Sequence, residues 1–187
     1  MSTFETIKNK IVEFVAGIVI TPSPLFIMLK SHPYEVKGPT MRKILDSLQT
    51  GDILLRRYKY YVANWFIPGK FSHAALYVGD NSVIHMLGDG ITKEDILTFM
   101  RCDDICILRL NNDDGVIKKA INSAFELLNA GVEYDFNFST KNDKFYCTEL
   151  IDKVYEGHIN YSSKLSDKFI SPDDMLTSNL TKIFPES

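Results

Sequence analysis

The sequence predicts an α+β fold: a mainly antiparallel central sheet flanked by helices, with an apolar helix ahead of it. Two observations predict it. Short strand-like runs cluster between residues 53 and 110, and helical stretches flank them on both sides. The chain of 187 residues carries 21 Lys and Arg against 24 Asp and Glu, a net charge of −3. That balance excludes any large electrostatic footprint for nucleic acid, so no nucleic-acid partner is expected. Hydrophobic residues make up 45%, an ordinary globular share, and a chain of this size folds without metal or disulfide support. Three cysteines are an odd number, which suits a reducing compartment or free thiols better than a disulfide framework; association with the cell envelope is the other setting expected.

The elements follow in order. Phe4, Ile7, Ile11, Phe14, Val15 and Ile18 recur at helical spacing. No charge occurs from Phe14 to Leu29, but Pro22 and Pro24 interrupt the run, and no cleavage site for a secretory signal follows it. This stripe is expected to dock on the domain, on a partner chain or on a membrane surface, and its mixed polar face (Lys8 and Lys10 against Glu5 and Glu13) favours protein. The segment Ser31 to Thr40 reads as a loop. The chain thus divides into an N-terminal helix and loop, 1–38, and one compact domain, 39–187.

Pro39-Thr40-Met41 opens a short helix through about Leu48, and Ile53 to Arg56 reads as a strand. Tyr58 to Phe66 reads as an aromatic, helical connection. Strands are expected at about 72–78 and 83–87, a short helix around Lys93 to Met100, and a third strand at about 104–110. Asp113 or Asp114 caps a helix that ends at Gly131, and another runs from about Tyr146 to Glu156. Ser171-Pro172-Asp173-Asp174 has a cap, a proline at the first helical position, and acids facing the positive end of the dipole.

The strand pair at 72–87 carries the first chemistry. A three-residue loop, 79–81, sets Ala75 opposite His85. Ala74, Leu76, Val78, Ile84 and Met86 then share an apolar face, and His73, Ala75, Tyr77, Val83 and His85 line the other. One histidine on a strand is ordinarily structural. Two on one face are close enough to touch or to share a partner. No metal is expected there, because Cys102 and Cys106 are spaced to pack beside Ile105 and Ile107 rather than to complete a zinc site.

Cys147 sits where a polar loop, 139–144, turns into a helix. Unpaired amides and the dipole at such a start lower a thiol's pKa and can hold an oxyanion. The competing structural role is that of a small core residue in the stripe Cys147, Leu150, Ile151 and Val154.

With these residues in view, the sequence resembles the circularly permuted papain-like hydrolases of the NlpC superfamily, nearest the YiiX-like branch. The resemblance rests on His73 in Ser-His-Ala-Ala-Leu-Tyr-Val-Gly, then Val-Ile-His85, then Tyr-Cys147-Thr-Glu-Leu-Ile, and covers about residues 48–180. Gly51-Asp52-Ile53-Leu54-Leu55, Gly131…Tyr134-Asp135 and Ser171-Pro172-Asp173-Asp174 add to it. Where many YiiX-like members carry a carboxylate this chain has His85, a Cys-His-His set similar to the lecithin:retinol acyltransferase branch. The resemblance implies a permuted papain-like fold and a thiol hydrolase without cofactor. Cys147 would be the nucleophile, within hydrogen-bond reach of His73 as base, with His85 orienting the base and Tyr134 or Tyr146 lining the oxyanion or substrate. The leading expectation is cleavage of an amide bond in peptidoglycan stem peptides or similar γ-glutamyl links. A lipid-directed thiol esterase or acyltransferase with an acyl substrate, and a non-catalytic assembly protein on the same fold, are the alternatives.

Overall fold

The computed structural model describes residues 34–59, 67, 69–111, 114–136, 144–162 and 169–185. The N-terminal apolar stripe and most of the aromatic connection, 60–66, lie outside the described residues.

Helix α1 (Gly38–Ser47) is followed by strand β1 (Ile53–Arg57), then β2 (His73–Gly79), β3 (Ser82–Leu87) and β4 (Gly90–Asp95). Next come a one-turn helix α2 (Ile96–Phe99), β5 (Asp104–Arg109), α3 (Asp114–Ala130) and α4 (Cys147–Val154). A 3-10 helix (Pro172–Thr177) and β6 (Thr181–Phe184) complete the order. The six strands form one sheet, ordered β4-β3-β2-β1-β5-β6, with every neighbouring pair antiparallel.

Both faces of this sheet are buried, and strand alternation sorts the side chains between two cores. Ile53, Leu55, Ala74, Leu76, Ile84, Met86, Cys106 and Leu108 pack on the face covered by α3 and α4. Leu54, Ala75, Val83, Ile105 and Ile107 pack on the opposite face with Ile44 of α1 and Phe99 of α2. Val36 belongs to this second core, and its amide donates to the carbonyl of Cys102 at 3.0 Å. Cys102 and Cys106 are buried packing residues, one in each core.

The β2–β3 hairpin keeps the register read from the sequence, with Leu76 opposite Ile84 and Tyr77 opposite Val83. Its tip differs. Gly79 pairs with Ser82, a bulge falls between Tyr77 and Gly79, and the turn is the two residues Asp80 and Asn81, not three. Both have positive φ, 48° and 51°, the geometry whose twist matches a tight hairpin.

Three further differences have local causes. The expected helix from Lys93 loses its first residues to β4, because the turn at Gly88-Asp89 returns the chain beside β3, pairing Thr92 with His85. Helix therefore starts only at Ile96, where the Asp95 carboxylate accepts from the amides of Leu97 (2.8 Å) and Thr98 (3.3 Å). The Ser171 cap is confirmed as a reciprocal capping box with Asp174, but the helix is 3-10. Thr177 and Ser178 hydroxyls bond back to the carbonyls of Asp174 and Met175, three residues earlier, which tightens the turn. Strand β6 is short and half-exposed, so its alternation is too brief to read from sequence.

Candidate active site

The histidine strand and the cysteine helix are brought together by the packing of α4 on β2 and β3. Helix α4 begins at Cys147 because Tyr146 is still extended, with φ −97° and ψ 175°. Glu149, at the third helical position, faces back to the amide of Tyr146. Cys147, Leu150, Ile151 and Val154 form the expected buried stripe. Both the nucleophile-type placement and the packing role of Cys147 are therefore realised at once, with the residue 6% exposed.

The start of α4 is pinned from the C-terminal segment. Tyr146 Oη accepts from the amide of Ile170 at 3.0 Å, and Thr148 Oγ1 donates to the carbonyl of Ile170 at 2.5 Å. The same segment pins the histidine strand. The Asp173 carboxylate accepts from the amides of Lys70 (2.6 Å) and Phe71 (2.7 Å), just ahead of β2. Gly69 makes this approach possible: its φ is +104°, and a Cβ there would stand 2.4 Å from the Asp173 carboxyl carbon. Residues 170–173 thus bracket the two strand and helix starts that carry the chemistry.

His73 Nε2 and His85 Nδ1 are 2.8 Å apart, with ring centroids at 5.1 Å and the rings nearly perpendicular. Phe99 packs against both rings, at 6.0 and 5.6 Å. Arg56, the β1 residue paired with His73, stacks its guanidinium 4.1 Å over the Phe99 ring and donates to the Phe99 carbonyl at 3.2 Å. Glu94 of β4 stands 3.5 Å from Arg56 and 3.6 Å from His85 Nε2. Burial, reinforced by the Arg56 charge, holds the His85 pKa down at about 3. Burial also puts His73 well below the usual histidine value, with Arg56 and His85 adding to the effect.

The cysteine corrects one expectation. A helix start alone would lower the thiol's pKa; here burial outweighs it and the Cys147 pKa is raised. The amides of Ala74, Thr148 and Cys147 itself face the sulfur and, with Arg56, oppose that rise. Ala74 is the residue directly after His73, so the sulfur lies against the backbone of the histidine strand on the α4 face, while the imidazoles of His73 and His85 pack with Phe99 on the other face. Among the described residues, its hydrogen-bonding neighbours are amides, and no hydrogen bond links it to either imidazole. Tyr134 packs against the core cluster that holds Cys147, and burial raises its pKa far above the usual phenol value, with Cys147 the next cause. Tyr146 feels Cys147 as well, and its hydroxyl also ties the start of α4 to Ile170.

The sequence reading overlooked Arg56, Glu94 and Phe99. The signal for Glu94 was the Gly88-Asp89 hairpin turn, which places it on the His85 side of β4.

Comparisons with known proteins agree with this architecture. Residues 47–182, well over half of the chain, match the family described as "Permuted papain-like amidase enzyme, YaeF/YiiX, C92 family". No curated protein matches the chain. The crystal structure of the metalloprotein yiiX from Escherichia coli O157:H7 is similar in fold, with a TM-score of 0.60 and 19% identity over 75% of this chain and 98% of that one. Among the described residues here, no group of three or more His, Cys, Asp or Glu side chains is gathered to hold a metal ion. The order of the motifs, histidine strand before cysteine helix, is that of a permuted papain-like fold, and the chain belongs to the permuted papain-like amidases of the YaeF/YiiX family, a family of cysteine hydrolases.

Proposed function

We propose that this amidase cleaves an amide bond in peptidoglycan stem peptides or similar γ-glutamyl links through a thioester on Cys147. The observation that carries the reading is the sulfur at the first residue of α4, faced by the amides of Cys147, Thr148 and Ala74 at the start of the histidine strand. His85 holds Nε2 of His73 at 2.8 Å, which leaves Nδ1 as the nitrogen for the thiol. Burial keeps the resting pair as thiol and neutral imidazole, so the proton moves only as the carbonyl is attacked. Sγ then bonds to the carbonyl carbon while Nδ1 takes the thiol proton. The amide of Cys147 and the hydroxyl of Tyr134 stabilise the oxyanion. The C–N bond breaks as His73 returns the proton to the leaving amine. Water next adds to the thioester, giving its proton to His73, and the C–S bond breaks to release the acid and restore the thiol.

The three cysteines are free thiols, which fits a reducing setting. Among the described residues no helix is long and apolar enough to cross a membrane. The N-terminal stripe, Phe4 to Ile18, is read as a docking element for a partner chain. The direct test is hydrolysis of a γ-glutamyl stem peptide by the full chain and by Cys147→Ala, followed by amine release and by mass spectrometry for the acyl-enzyme. Turnover by the parent alone supports the reading. Turnover undiminished in Cys147→Ala overturns the mechanism. Turnover of acyl esters but of no stem peptide overturns the substrate assignment in favour of the second reading, a lipid-directed esterase, which His85 in place of a carboxylate favours.

A further inference from the structure

We infer that Glu94 is a positioning residue: it fixes which nitrogens of the His73–His85 pair carry protons, and so makes Nδ1 of His73 the base. The inference rests on the reading of His73 as the base but uses different observations. The His85 side chain is fully buried, 0% exposed, and its Nε2 has no hydrogen-bond partner among the described residues. A carboxylate oxygen of Glu94 stands 3.6 Å from that nitrogen, on the same face of the sheet, since Thr92 pairs with His85 and Glu94 lies two residues on.

The consequence follows from proton counting. A lone pair on Nε2 would face a negative oxygen across low-dielectric space, whereas an N–H would face it favourably. His85 is therefore protonated at Nε2, and its Nδ1 is a lone pair. The 2.8 Å contact then requires His73 to donate from Nε2. The remaining nitrogen of His73, Nδ1, is left with the lone pair that can accept the thiol proton. In the reverse arrangement His85 donates from Nδ1, His73 accepts at Nε2, and Nδ1 of His73 already carries a hydrogen. That form cannot act as a base toward sulfur. Glu94 thus supplies, one imidazole further out, the orienting carboxylate that His85 displaces.

Arg56 is the competing charge. It lies 3.5 Å from the same Glu94 oxygen, and its Nε also has no hydrogen-bond partner. Burial, with its positive charge adding to the effect, keeps both rings neutral, and a hydrogen bond from its Nε to His85 Nε2 would select the reverse arrangement.

The test is long-range ¹⁵N–¹H correlation on histidine-labelled protein, which reports the tautomer of each ring without any activity measurement. Both His73 and His85 are expected as Nε2–H tautomers in the parent. Glu94→Leu is expected to shift His73 toward the Nδ1–H form and to slow iodoacetamide labelling of Cys147 about tenfold. Glu94→Gln, which keeps an acceptor oxygen, is expected to restore most of both. His85 found as the Nδ1–H tautomer in the parent overturns the inference even if Glu94→Leu fails to fold. Tautomers unmoved in a folded Glu94→Leu do so as well. Labelling of Cys147 that ignores His73→Ala, with the expected tautomers in place, overturns the hydrolase mechanism and leaves the role of Glu94 standing.

Discussion

The two faces of strands β2 and β3 have opposite characters. Toward α4, Ala74, Leu76, Ile84 and Met86 form continuous apolar packing, and the polar atoms that meet the buried Cys147 sulfur are backbone amides. On the other face the same strands present His73 and His85 to Arg56, Glu94 and Phe99, a side-chain network in which charges and rings hold one another. The difference teaches how the fold separates its duties. The nucleophile's surroundings are built into the backbone and follow from folding itself. The base's surroundings are built from side chains, so single substitutions reach them directly.

The largest expected effect breaks the side-chain face. His73→Ala should lower kcat/KM on an amide substrate by about 10²–10⁴-fold while leaving the thermal midpoint nearly unchanged; a loss of folding instead would place His73 in the core. Breaking the apolar face should do the converse. Leu150→Ala, at a position with no exposure, should cost about 2–5 kcal/mol in urea unfolding, with kcat retained in the folded fraction.

A smaller effect is expected where the faces are joined. Asp173→Ala removes two carboxylate-to-amide hydrogen bonds and should cost about 2 kcal/mol. It should also lower activity more than its stability loss explains, because the start of β2 is freed. The measurement is activity at a temperature well below the variant's own midpoint.

The smallest effect sharpens the comparison through pH. The folded-state pKa of His85 lies at about 3 against 6.5 when free. Its contribution to stability is complete above about pH 6.5 and is lost as pH falls through the folded value. Glu149 on α4 runs the other way: burial lifts it from 4.5 to about 7, so its contribution is complete below about 4.5 and is lost as pH rises through about 7. Urea midpoints should therefore show Glu149→Gln matching the parent near pH 4.5 and exceeding it at pH 8. A variant weaker than the parent at pH 8 would mean the ionised carboxylate is stabilised in place.

What was legible in the sequence follows the range of the interactions. The faces of the hairpin depend on a period of two and one turn, so His73 and His85 could be placed together from sequence alone. The stripe of α4 was legible for the same reason at helical spacing. The direction of the Cys147 pKa was not, because it depends on how deeply tertiary packing buries the helix start. Glu94 was hidden by an edge strand whose residues read equally well as helix. The hold of Asp173 on Lys70 and Phe71 spans about a hundred residues, and no local pattern announces such a contact. Its motif could be read only as a helix cap, which it also is.

That long-range hold has a consequence for synthesis. A nascent chain that has exposed β1 to β5 already has the strands, and with α4 the thiol, but the carboxylate that fastens the start of the histidine strand is still to come. The packing of α4 on β2 and β3 brings the cysteine and histidine segments together, and residues 170–173 fasten both starts once they arrive. If that fastening completes the site, pulse-labelled chains arrested before residue 170 should have a Cys147 no more reactive than Cys102 or Cys106.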